Sequence, residues 1–358
     1  MRILITGNMG YVGPVVVKHL HSRDASAYLA GLDAGYFSNC VNTWGVLPER
    51  FLSVQHYADI RRVSDHALDG MEAVVHLAGI SNDPIGDRFQ DATLEINHRA
   101  TIALAQQAKK SGVGSFVFAS SCSMYGSAED EARTESSTLN PLTAYARSKV
   151  YAERDLEPLA DEGFRVTSLR FSTACGMSDR LRLDLVLNDF VAAAVTEQKI
   201  LIRSDGTPWR PLINVKDMAL AVEWAVQRSA AVGGPFLAVN VGRSDWNYQV
   251  KELADAVAAA IPGVEVSINK DAQPDKRSYR VNFDLFRTLA PLHQPRCDLV
   301  STIRDLKEGL EKVNFGDSGF RSSQFIRLHV LDRLCERGVL DRELRWVDGP
   351  GSREPGAV

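Results

Sequence analysis

Met1-Arg2-Ile3-Leu4-Ile5-Thr6-Gly7-Asn8-Met9-Gly10-Tyr11-Val12-Gly13 is the stretch on which the fold turns. Ile3-Leu4-Ile5 is a short apolar run that suits a buried strand, and residues 12–20 carry apolar side chains at helical spacing. Between them Gly7, Gly10 and Gly13 are spaced Gly-x-x-Gly-x-x-Gly. Glycine permits the tight turn and lets backbone N–H groups approach a pyrophosphate. The helix N-terminus behind it adds partial positive charge. Three glycines alone fit a plain strand-to-helix turn equally well. Asp33 strengthens the signal, because it ends a second strand, Tyr28-Leu29-Ala30-Gly31-Leu32, at a set distance beyond the turn. A carboxylate there accepts hydrogen bonds from an adenosine ribose diol and repels a 2′-phosphate. No Arg or Lys follows Asp33 within its loop, so NAD rather than NADP is the expected cofactor. Asp59 and Ile60 offer a carboxylate and an apolar surface to an adenine ring, although Asp59 reads as a helix N-cap too.

Outward from this turn the rhythm repeats. Ala73-Val74-Val75-His76-Leu77-Ala78, Phe116-Val117-Phe118-Ala119 and Val166-Thr167-Ser168-Leu169-Arg170-Phe171 are further strands, with helical stretches over 92–111 and 144–160 between them. Strands separated by helices pair in parallel through crossovers, which predicts an α/β fold. Specifically, it predicts a Rossmann-type doubly wound parallel sheet over residues 1–176, to which 213–245 returns. Beyond Gly176 the pattern is mixed: a helix over 184–196, short strands at Lys199-Ile200-Leu201-Ile202 and 236–241, and an apolar helix face from Val250 to Ile261. Residues 177–212 and 246–340 are therefore expected to build a smaller, mostly C-terminal substrate lobe, and the Gly/Pro-rich 341–358 a flexible tail.

The chain has 358 residues, enough for two lobes, and a net charge of −4 that gives no footprint for nucleic acid. No apolar run reaches the roughly 18 residues of a membrane span, and the start is too short in apolar residues for a signal peptide. The five cysteines are scattered and without metal spacing, and the eight histidines show no ligand pairing. No metal, nucleic-acid or membrane partner is expected, and free thiols suit a cytoplasmic protein.

Tyr145-Ala146-Arg147-Ser148-Lys149 puts a phenol and an ammonium four apart, on one helix face. A free phenol, with a pKa of about 10, is a poor base at neutral pH. A neighbouring cation stabilises the phenolate, so Tyr145 is expected to take an alcohol proton as hydride leaves the same carbon. Ser121 is the first candidate for a hydroxyl beside the reacting oxygen and Ser123 the second, both at the strand end Ser120-Ser121-Cys122-Ser123-Met124-Tyr125-Gly126.

Together these motifs resemble the extended short-chain dehydrogenase/reductase superfamily, in its NAD-dependent nucleotide-sugar epimerase/dehydratase branch. The resemblance covers roughly residues 1–290. It is carried by Thr6-Gly7-x-x-Gly10-Tyr11-Val12-Gly13, Asp33, His76-Leu77-Ala78-Gly79, Asn97, Ser120-Ser121-x-x-Met124-Tyr125-Gly126, Tyr145-x-x-x-Lys149, Leu169-Arg170 and Arg210-Pro211-Leu212-Ile213-Asn214-Val215-x-Asp217. It implies a catalytic Ser121, Tyr145 and Lys149, with Leu77, Ala78 and Gly79 beside the cofactor. It implies a nucleotide-diphosphate sugar near Asn82, Asp83, Thr173, Asn188 and the segment 199–202. Arg210 would meet the diphosphate, with a second arginine that is Arg277 or Arg280. It also implies a homodimer through the helices near 92–111 and 145–160. Where sugar dehydratases of this branch carry an Asp-Glu pair, this chain has Cys122 and Ser123. That favours an epimerase, most simply at C4, over elimination of water. An oxidoreductase or ketoreductase, a uronic acid decarboxylase and a non-catalytic NAD-binding protein are the competing readings.

Overall fold

In the computed structural model, which describes residues 1–41, 43, 45–127, 131–269 and 277–347, β1 (Arg2–Thr6) runs through the glycine turn into α1 (Gly13–Arg23). β2 (Tyr28–Asp33), β3 (Val54–Tyr57) and β4 (Ala73–His76) follow. α2 (Asp83–Arg88), α3 (Gln90–Leu94) and α4 (Ala100–Lys110) cross to β5 (Ser115–Ser121), and α5 (Ala144–Leu156) crosses to β6 (Arg165–Phe171). β7 (Thr173–Cys175), α6 (Val186–Glu197), β8 (Lys199–Ile202), β9 (Trp209–Asn214) and α7 (Val215–Gln227) lead to β10 (Phe236–Val241). The last elements are β11 (Asn247–Gln249), α8 (Val250–Ala260), β12 (Glu265–Ile268), α9 (Asp284–Leu289), α10 (Leu299–Lys312) and α11 (Arg327–Glu336).

Seven strands pair in parallel in the order β10-β6-β5-β4-β1-β2-β3. The fold is the doubly wound α/β arrangement read from the sequence. Its order reverses between β1 and β4, which opens the crevice where such sheets take ligands. The period-two alternation of a strand divides the apolar residues between the faces. Ile3, Ile5 and Val75 pack with Val17 of α1 and Val222 of α7. Leu4, Val74 and Phe116 pack with Ala105 of α4 and Leu156 of α5. The first of these cores continues without a break to Phe190 of α6, Leu253 of α8 and Ile303 of α10, beside the small sheets β11-β9-β7 and β12-β8. β10, late in the chain, joins the edge of the main sheet beside β6.

Two local readings change. The helix expected over 92–111 is interrupted by a π turn at Glu95–Arg99. There the Asn97 amide accepts from the Ile80 N–H at 2.7 Å and donates to the Ile80 carbonyl at 2.8 Å, tying the turn to the loop after β4. Of the expected tail, residues 341–347 are anchored: Leu344 is fully buried, its carbonyl accepts from Tyr36 and from Arg61, and the Trp346 indole donates to the Ala34 carbonyl. Residues 348–358 lie outside the described residues. All five cysteines are free thiols. Among the described residues no helix is long and apolar enough to cross a membrane.

Candidate active site

A cleft of about 790 Å³ opens over the β1/β4 crevice. Its floor is the glycine turn. Gly7 stands at φ +72°, and a Cβ there would meet the Ala78 backbone nitrogen at 2.5 Å. A Cβ on Gly13 would meet the Asn8 carbonyl oxygen at 2.4 Å. Both positions therefore require glycine, and they bring the N-terminus of α1 against the end of β4. Gly10, Tyr11 and Val12 complete the floor, with the Tyr11 hydroxyl donating to the Gly176 carbonyl at 2.6 Å.

Along one wall stand Asp33, Asp59 and Ile60, with Leu77, Ala78 and Gly79 opposite. Asp33 accepts from the Met9 N–H at 3.0 Å and the Gly35 N–H at 2.7 Å, and burial raises its pKa. An ionised carboxylate accepts about four hydrogen bonds, so two acceptor positions remain for a diol. Asp59 is the N-cap of a short turn and grips Arg61, whose Nε donates to it at 2.9 Å. Its carboxylate is thus engaged by its own turn, although the residue still faces the cleft.

β5 and α5 supply the centre. Lys149 Nζ donates to the Ala119 carbonyl at 2.7 Å and lies 5.8 Å from the Tyr145 ring centre. Tyr145 and Ser121 line the same cleft, and the Ser121 hydroxyl acts to lower the Tyr145 pKa. In the protein without cofactor, burial raises the Tyr145 pKa, Asp83 and Cys122 add to the rise, and Ser121 and Arg182 act against it. Burial likewise draws Lys149 down to about 8, opposed by Glu153 one turn further along the helix. Asn97 braces this centre through Ser148, donating to its hydroxyl at 3.1 Å. Ser123 lines the cleft, and its hydroxyl has no hydrogen-bond partner among the described residues.

The far half carries Asn82, Asp83, Thr173, Arg210 and Arg277. Arg277 pairs with Asp83 at 2.9 Å, and Asp83 also accepts from Thr143 at 2.7 Å. Arg210 donates to the Arg277 and Trp209 carbonyls. Three expected residues are not on the cleft. Cys122 is fully buried, its thiol donates to the Arg170 carbonyl at 3.0 Å, and burial raises its pKa. Asn188 is fully buried too: its side chain accepts from Gly176 and donates to the Tyr11 hydroxyl and the Arg182 carbonyl, so it holds the floor together from beneath. Arg280 turns away to lie 5.3 Å over the Trp209 ring, beside a separate small cavity. Of the two diphosphate arginines left open by the sequence, Arg277 is the one on the cleft.

A sequence model described as the NAD dependent epimerase/dehydratase family matches residues 3–242. The chain belongs to this family. It is an NAD-dependent enzyme of the epimerase/dehydratase type. The chain is 27% identical over 281 residues to the UDP-glucose 4-epimerase of Rhizobium meliloti, covering 72% of this chain and 80% of that protein. It is 26% identical over 262 residues to the UDP-glucose 4-epimerase of Bos taurus, covering 61% and 70%. The fold matches the NAD-dependent NDP-hexosamine 5,6-dehydratase TunA of tunicamycin biosynthesis with a TM-score of 0.75 at 22% identity, over 88% of this chain and 99% of that one. It matches MoeE5, solved in complex with UDP-glucuronic acid and NAD, with a TM-score of 0.74 at 24% identity, over 87% and 99%.

The family's cofactor fits the residues present. The glycine turn admits a diphosphate at the start of α1, and Asp33 keeps acceptor capacity for a ribose. Several cleft residues escaped the sequence reading. Arg182 reaches Asp184 at 2.9 Å and the Ser81 hydroxyl at 2.8 Å, and Asp184 accepts from Asn82 at 2.7 Å. The signal was there: in residues 180–185 charged side chains alternate with leucines, the mark of an extended segment with one polar edge. Beneath α5, Glu153 accepts a fork of hydrogen bonds from buried Arg170 and one from Ser120. Glu153 is four residues after Lys149 and so on the same helix face.

Proposed function

We propose that the protein is a nucleotide-sugar epimerase that inverts C4 through a transient 4-keto sugar. The observation that carries this reading is one cleft lined by Tyr145, Ser121 and Lys149 together, between a dinucleotide cradle and the Arg210/Arg277 pair. The names of the curated relatives make a UDP-hexose the first substrate to try. When bound, oxidised NAD supplies a reversible acceptor for the hydride of the substrate carbon. Tyr145 takes the proton of the C4 hydroxyl in the oxidative half and returns it in the reductive half. Ser121 holds the reacting oxygen, and protonated Lys149 favours the phenolate. Arg210 and Arg277 bind the substrate diphosphate with charge-assisted hydrogen bonds. Asn82, Asp83, Thr173 and Ser123 line the space for the sugar, and the keto sugar turns there to present its other face.

Water elimination needs an acid and a base beside the oxidised carbon. Cys122 has its thiol on a backbone carbonyl, Ser123 is a hydroxyl, and the carboxylates of Asp83 and Asp184 are held by Arg277 and Arg182. This supports epimerisation over dehydration. The test uses UDP-, GDP-, dTDP- and CDP-sugars without added cofactor, followed by NMR. Inversion without net NADH is expected. Stoichiometric NADH would mean a one-way oxidoreductase, and carbon dioxide from a uronic acid a decarboxylase. We further infer a cytoplasmic homodimer joined through α4 and α5; light scattering at the mass of one chain would refute the dimer.

A further inference from the structure

The C-terminal segment 320–347 folds back over the cofactor half of the cleft, beyond the part of the chain that the family model matches. Its helix α11 opens with Arg327, which is 1% exposed and lines the cleft. Arg327 Nη2 donates to the Arg180 carbonyl at 2.9 Å and Nη1 to the Gln324 carbonyl at 3.4 Å. Its Nε has no partner, and no carboxylate pairs with it among the described residues. Three other cleft guanidiniums have a carboxylate partner: Arg182 has Asp184, Arg277 has Asp83 and Arg321 has Asp189. A buried cation without a counter-charge is unfavourable unless an anion completes it.

The surroundings say which anion. The Arg180 carbonyl that Arg327 holds belongs to the segment 178–183, which is bound to the glycine turn: Ser178 Oγ donates to the Tyr11 carbonyl at 2.6 Å and accepts from the Arg180 N–H. Leu183 N–H donates to the Phe325 carbonyl at 3.0 Å, which fixes the start of α11 against the same segment. On its other side the guanidinium lies 4.8 Å from the centre of the Phe37 ring, in the loop that follows Asp33. Arg327 therefore stands between a segment bound to the glycine turn, where the pyrophosphate of a dinucleotide sits in this fold, and the loop after Asp33, whose carboxylate meets the ribose. Burial draws its pKa down to about 10, which leaves it charged at neutral pH.

We propose that Arg327 binds the diphosphate of the dinucleotide, which makes the C-terminal segment part of the cofactor site. This rests on the cofactor placement given above. An orphaned N–H, a planar fork and a water-poor wall suit a phosphate oxyanion.

The test uses full-length protein stripped of nucleotide, and calorimetry with NAD, ADP-ribose, NADP and UDP. In Arg327→Gln the affinity for NAD and ADP-ribose is expected to fall by about 10- to 100-fold, as for loss of a charge-assisted bond. Arg327→Lys should recover part of it, and UDP should bind within about twofold of wild type. Unchanged NAD affinity in a folded Arg327→Gln protein overturns the proposal. So does a loss confined to UDP, which would assign the guanidinium to the sugar nucleotide, or one confined to NADP, which would assign it to a 2′-phosphate. If the variants do not fold, wild-type crystals with ADP-ribose decide: a diphosphate oxygen within about 3.2 Å of the guanidinium supports the proposal, and none within hydrogen-bond reach overturns it. Wild-type protein that binds no NAD at all would instead overturn the reading on which the proposal rests.

Discussion

The proposed chemistry rests on two side chains that burial moves away from their ordinary pKa values. Tyr145 sits above its ordinary pKa and Lys149 below it, both because of burial. Tyr145→Phe keeps the ring and its packing and removes the proton acceptor, so turnover should fall by about 10²–10⁴ while NAD content stays at the wild-type level. Near-normal turnover would remove Tyr145 from the chemistry. Lys149 gives a prediction with a sign. Its pKa is 10.5 in the unfolded chain and about 8 when folded. Between those values the unfolded chain binds a proton that the folded protein does not, so this group's contribution to stability rises with pH across that window. Below it both states are protonated and the folded protein bears the whole cost, about 3 kcal/mol. Lys149→Met removes the cost and also a bond to Ala119 of about 1 kcal/mol. In urea titrations the variant should be the more stable protein at pH 7, and its advantage should vanish by the upper end of the window. A gap that does not change with pH would show that Lys149 is not desolvated. That Tyr145, Lys149 and Ser121 share one cleft was legible from helix spacing for the first two and from the strand end for the third. Cys122, Asn188 and Arg280 were misplaced because spacing in the chain does not say on which side of a turn a side chain emerges.

Elements place these groups by close backbone approach, which glycine permits and other residues do not. At Gly7 a Cβ meets two obstacles at once: a left-handed backbone at φ +72° and the Ala78 backbone. The conformation alone costs about 1–2 kcal/mol, and the contact can be relieved only by parting β1 from β4 at the crevice. Gly7→Ala should therefore lower NAD affinity by about tenfold or more and reduce Tm. Gly112 is the control, because it has φ +81° and nothing within 4 Å of its Cβ position. Gly112→Ala should reduce Tm without changing NAD binding. Equal NAD loss in both variants would refute the cradle argument. The buried strands β1, β4, β5 and β6 were readable as apolar runs. The edge strand β3, with Gln55 and His56 at its centre, and the short β7, β11 and β12 were not, because they carry too few apolar residues to announce themselves, and β9 was not because Arg210 and Pro211 interrupt its apolar run. The π turn was also invisible. It arises from Asn97 capturing the backbone of Ile80, a contact between residues on different elements.

At the scale of the whole molecule, one apolar core runs from the main sheet into α6, α8 and α10, and so joins the region expected as a smaller lobe to the Rossmann sheet. The end is anchored at least to residue 347. Leu331, Leu340 and Leu344 belong to the same buried cluster as Leu4, Val74 and Phe116 of the sheet. This was hidden because 337–347 has no periodic apolar pattern; single leucines join a buried cluster built by distant elements. The polar contacts of this end fall on Arg61 and on the loop after β2, where Ala34 and Tyr36 both line the cleft. With NAD placed as proposed, stability and cofactor binding are linked through the C-terminal segment. Leu344→Ala removes a fully buried side chain and should cost about 2–5 kcal/mol. It should also free the loop at Ala34 and Tyr36, so NAD affinity should fall in the folded variant although residue 344 is not on the cleft. Saturating NAD should then raise Tm by less in the variant than in wild type. A variant that loses Tm but keeps the full NAD-induced rise would show that the segment braces the fold without serving the cofactor.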